Sequence, residues 1–79
     1  MNADAMRDML RRQPFEPFEI VMASGEKYPV THPETLLVLR SQAVVGNPDT
    51  ERVSFLSLPL VTELRPILPQ PSASNGDSR

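Results

Sequence analysis

The only imidazole in this chain of 79 residues, His32, stands two positions before Glu34, a pair that could serve as a general base or hold a metal. Neither chemistry finds its partners. The chain has no cysteine and no second histidine, so one copy cannot assemble the three-ligand set of a catalytic zinc. Ser24, Ser41, Ser54 and Ser57 lie outside any G-x-S-x-G elbow, and a single histidine would have to activate all of them. Gly25, Gly46 and Gly76 are isolated, which rules out a glycine-rich loop around a phosphate. The expectation is a protein without enzymatic activity, cofactor or metal, in which His32 faces solvent or steadies a turn.

Binding chemistry is the other possibility. Arg7, Arg11 and Arg12 cluster near the N-terminus, while Lys27, Arg40, Arg52 and Arg65 are scattered, and the formal net charge is -2. A nucleic-acid surface needs a basic surplus that releases counterions, interleaved with exposed rings for stacking. Only Tyr28, beside Lys27, offers such a ring. The balance disfavours nucleic acid and favours a protein partner or self-association. The residues with suitable chemistry for a contact surface are Phe15, Tyr28, His32 and Arg40. An apolar content of 39% in so short a chain exceeds what a small core hides, and points the same way.

These residues must be carried by a small number of short elements. Asn2 can cap a helix in which Met6, Met9 and Leu10 form an apolar stripe, with Asp4 near its positive end and Arg11 and Arg12 near its negative end. Pro14 limits how far the helix can run. The stretch RRQPFEPFEI then repeats Pro-Phe at 14–15 and 17–18. The prolines stiffen the passage from helix to sheet, and Phe15 and Phe18 supply two of the four aromatic rings where the helix must be pinned.

Phe18, Ile20 and Met22 alternate with Glu19, Val21 and Ala23, the period of a strand with one buried face. Ser24-Gly25 turns the chain into a second strand, Lys27 to Val30, in which Pro29 demands an edge position or a bulge. Thr31 to Glu34 is a turn. Leu36 to Leu39 reads as a buried strand, Ala43 to Val45 as the next, and Gly46 to Asp49 as a loop. Arg52 to Leu58 forms a further strand carrying Val53 and Phe55, Pro59 breaks it, and Val61 to Ile67 is the last. Pro29 and Pro59 both stand beside expected sheet edges, where each removes a donor.

Residues 1–68 are expected to form one domain. Residues 69–79, rich in Pro, Ser, Gly and Asn without a large apolar side chain, are expected to be a disordered tail. The N-terminus has no apolar run of the roughly 7 to 15 residues of a signal peptide, and no stretch approaches the roughly 18 apolar residues of a membrane span. The expected location is the cytoplasm, with no membrane association.

The fold class that follows is mainly β with one N-terminal α-helix: a small, partly open SH3-like or Sm-like barrel of five or six antiparallel strands, which limits exposed edges. The alternative is an open α+β sheet with the helix on one face. In "PFEIVMASGEKYPV" and "LPLVTELRPI" the chain resembles the Sm-like fold, whose bacterial members are RNA chaperones. It also resembles a small bacterial family with an N-terminal helix, a Pro-Phe-x-Pro-Phe segment and an apolar C-terminal strand, a family without an established activity. The Sm-like resemblance implies an RNA-binding ring. "SLPLVT" stands where that family has a Lys-His pair, so no functional residue carries over. The residues themselves imply a small non-enzymatic binding or regulatory module acting through protein contacts, with an Sm-like RNA-binding protein as the alternative.

Overall fold

A computed structural model of the protein describes residues 1–67; the tail expected at 69–79 lies outside them. Helix α1 spans Ala3–Leu10, and the Asn2 side chain caps it by accepting a hydrogen bond from the Ala5 amide at 2.9 Å. Its apolar stripe is used as the spacing predicts, since Met6 and Met9 are buried and Leu10 packs against the core. At eight residues the helix is too short to persist in water unaided. Docking of the two methionines holds it in place.

Six strands follow: β1 (Phe18–Met22), β2 (Lys27–Val30), β3 (Leu36–Val38), β4 (Gln42–Asn47), β5 (Arg52–Ser57) and β6 (Val61–Pro66). Every pairing is antiparallel. The mainly-β class with one N-terminal helix is thus as expected. The strands do not close into a barrel: they form two three-stranded sheets, β2-β1-β6 and β3-β4-β5, which is the open α+β alternative. The break falls between β2 and β3. There Pro33 sits at the start of a short 3-10 turn, Pro33–Thr35, and without an amide hydrogen it cannot continue a ladder, so no single bent strand joins the sheets.

One core lies between the sheets and under the helix. Phe18, Ile20 and Met22 come from β1, Val30 from β2, Leu36 from β3, Ala43 and Val45 from β4, and Leu56 from β5. Leu58, in a second 3-10 turn spanning Leu58–Leu60, and Val61 complete it. Phe18 is fully buried, and the half-buried Phe15 lies against it with ring centroids 6.1 Å apart and a tilt of 58°, within the range for a favourable aromatic pair. The repeated Pro-Phe thus places a buried and a half-buried ring at the passage from helix to sheet.

One strand departs from expectation, and the residues of a second leave its facing open. Leu36 to Leu39 is not buried throughout: Leu36 is, but Leu37 is 58% exposed and Leu39 41%, because strand geometry turns alternate side chains to opposite faces. In β5 the inward residues are Ser54 and Leu56, while Val53 and Phe55 point out.

Candidate functional site

Among the described residues no polar or charged side chain is buried, and no group of three or more His, Asp or Glu side chains is placed to hold a metal ion. Among the described residues no helix is long and apolar enough to cross a membrane. The unusual surface is instead the outer face of β3-β4-β5. The pairings Leu37 with Val44 and Val44 with Phe55 put these three side chains in one row across the sheet. Phe55 is 73% exposed, and Val53, next along its strand on the same face, is 57% exposed. Cross-strand neighbours of this kind interact directly, and they make one contiguous apolar patch. Gly46 lies opposite Val53 and contributes no side chain. With Leu37, Val44, Pro48 and Val53 it lines a shallow groove of about 330 Å³.

The backbone edge beside this patch is equally unusual. In an antiparallel ladder the residues that bond to one neighbour alternate with those whose N–H and C=O point away from it. The Leu58 amide donates to Ser41 O at 3.0 Å, which continues the β4–β5 register and makes Ala43–Leu56 and Val45–Ser54 bonded pairs. Val53, Phe55 and Ser57 consequently turn their backbone groups to the free edge. That edge contains neither proline nor charge from Val53 through Ser57.

The other three edges are all obstructed. On β2 the outward residues are Lys27 and Pro29, by the phase that the Met22 amide bond to Glu26 O fixes, and Pro29 has no donor, as its position in the sequence predicts. On β3 the outward residues are Leu36 and Val38; Arg7 Nη2 from the helix donates to Val38 O at 3.4 Å. On β6 the bond from the Ile67 amide to Pro17 O turns Leu64 and Pro66 outward. Thr62 is the extra residue of a bulge opposite Val21 and Met22, its hydroxyl donates to Val21 O, and Pro66 lacks a donor. Pro59, expected to blunt an edge, lies in the 3-10 turn after β5 and leaves that edge intact.

The four residues proposed from sequence occupy separate elements. Phe15 belongs to the core margin. Tyr28, in β2, is half-buried and its hydroxyl donates to Glu26 Oε1 at 3.2 Å; desolvation and that carboxylate raise its pKa. His32 is exposed ahead of the first 3-10 turn, its Nδ1 3.1 Å from Thr31 Oγ1. Arg40 is exposed in the β3–β4 turn. None of the four belongs to the Leu37–Val44–Phe55 row.

The bases are largely matched by acids. Arg7 pairs with Asp4, Arg11 with Asp8, Arg12 with Glu16, and Arg65 with Glu63 and Glu19. The hydrogen bond and charge of Arg65 hold the Glu63 carboxyl below its ordinary pKa, and Glu63 raises that of Arg65 in return. Lys27, Arg40 and Arg52 make no ion pair among the described residues. Comparison with family models, curated proteins and solved structures yields no match.

Proposed function

We propose that the protein is a small non-enzymatic binding module that works by protein contact, and that its contact surface is the outer face and free edge of β3-β4-β5. The observation that carries this reading is the Leu37–Val44–Phe55 row ending at a strand edge with unused donors and acceptors. A solvent-exposed apolar patch beside a strand edge suits an extended polypeptide. Its backbone adds a strand to the sheet, and alternate apolar side chains cover the patch. The pairing of four arginines with nearby acids works against a nucleic-acid surface, which needs free positive charge.

The test is a backbone NMR titration of the isotope-labelled chain with two probes: a synthetic extended peptide alternating valine and phenylalanine with serine, and a uridine-rich oligonucleotide. Peptide-induced shifts confined to Leu37, Val44, Val53, Phe55 and Ser57 support the reading. Saturable oligonucleotide shifts around Lys27, Tyr28, Arg40 and Arg52, with none from the peptide, would overturn it in favour of RNA binding.

A further inference from the structure

We infer that the strand that completes this sheet is β5 of a second copy of the same chain, paired antiparallel about a two-fold axis at Phe55. The inference rests on the protein-contact reading and names its occupant. Three observations carry it: the blocked edges, the register of the free one, and its charge.

The first is that β5 has the one unobstructed edge among the described residues. Pairing unlike edges, which builds rings or filaments, would need a second open edge, and β2, β3 and β6 are closed by Pro29, by Arg7 and the helix, and by the Thr62 bulge with Pro66. Like-to-like pairing needs only one edge and closes at two copies.

The second is register. Because Val53, Phe55 and Ser57 face the free edge, placing Phe55 opposite its counterpart sets Val53 opposite Ser57 of the other copy, and Ser57 opposite Val53. All three facing pairs then fall at positions that exchange two hydrogen bonds each. The side chains follow. The row Leu37–Val44–Phe55 meets its copy end to end at two facing Phe55 rings, a favoured cross-strand pair. One apolar stripe runs across six strands.

The third is charge. In this register Arg52 of each copy lies opposite Leu58 of the other, and the segment between them is neutral, so no like charges meet.

Light scattering across a dilution series of the full chain tests the inference. The expected result is a species of twice the chain's mass at high concentration that dissociates on dilution. Phe55→Lys, which puts a charge at the two-fold axis, should give the single-chain mass throughout, with an unchanged circular dichroism spectrum. Val53→Lys, away from the axis, should shift the transition to higher concentration, and it serves alone if Phe55→Lys does not fold. A wild-type chain of single mass at every concentration overturns the inference, as does a doubled mass that survives both substitutions or an assembly larger than two. A single-mass chain whose β5 amides still shift with the extended peptide overturns the second copy and leaves the protein-contact reading standing. One that ignores the peptide overturns both.

Discussion

The two sheets share a core and solve the problem of their outer surfaces in opposite ways. On β2-β1-β6 the outward side chains include Glu19, Glu63 and Arg65, joined by ion pairs, and both edges carry a proline. On β3-β4-β5 the outward side chains include Leu37, Val44, Val53 and Phe55, with Gln42 and Ser57 as the polar members of that face. Among the described residues, helix α1 lies against one edge through Arg7 and the other edge is bare. Exposed edges and apolar faces promote association, and chains that must stay apart suppress them with charge, proline and bulges. Here those devices are spent on one sheet and withheld at one edge of the other.

The largest contrast between the sheets should come from truncating one phenylalanine in each. Phe18→Ala removes a fully buried ring and should cost about 3 to 5 kcal/mol, a large part of a small domain's stability. Phe55→Ala, measured in dilute protein, should change stability by no more than about 0.5 kcal/mol. Urea unfolding gives both. Comparable losses would mean that the β3-β4-β5 face is packed rather than open.

A second pair tests which side of β5 faces in. Leu56→Ala should cost about 2 to 5 kcal/mol, whereas Val53→Ala, three residues earlier and pointing outward, should stay within about 0.5 kcal/mol in dilute protein. The reverse order would place β5 one residue out of register, with every side chain on the wrong face.

Smaller effects sharpen the picture at the margins. Asn2→Ala removes the cap on α1 and should cost about 1 kcal/mol, read from the thermal midpoint; as α1 also covers the β3 edge, the loss should leave β5 unaffected. The smallest effect belongs to the charged sheet. Arg65 depresses the Glu63 pKa, so its contribution to stability is present above the ordinary glutamate value and is lost as pH falls through the lower, folded value. Between about pH 6 and pH 3, spanning the usual glutamate range, Arg65→Gln should lose slightly less stability than the wild type in urea titrations. An identical acid profile would show that the pair contributes nothing.

What the sequence made legible was local. Asn2, Met6 and Met9 announce a capped, one-sided helix because cap and stripe lie within a few residues of each other, and Ser24-Gly25 marks a hairpin because the turn requires a residue at φ 92°, where Gly25 sits. The outward apolar face of β5 was not legible. Both parities of Val53-Ser54-Phe55-Leu56-Ser57-Leu58 carry large apolar residues, so alternation alone does not choose between them. The choice is made by partners distant in sequence: Ala43 pairs with Leu56, and Leu58 seats in the core. Leu36 to Leu39 hid its alternation in the same way, behind uniform hydrophobicity. One usable signal was present, since Leu56 and Leu58 together with the turn at Pro59 favour the even positions as the inward set. The failure to close a barrel depends on Pro33 interrupting the path between β2 and β3, which a reading by strand count overlooks.

Amide hydrogen exchange at two protein concentrations tests the claim that β5 is the open edge most directly. The amides of Val53, Phe55 and Ser57 have no partner within the chain among the described residues, and they should exchange rapidly in dilute protein and become protected as concentration rises. Leu64, on the obstructed β6 edge, should not respond. Exchange at Val53, Phe55 and Ser57 that is independent of concentration, or protection that appears at Leu64 instead, would contradict this.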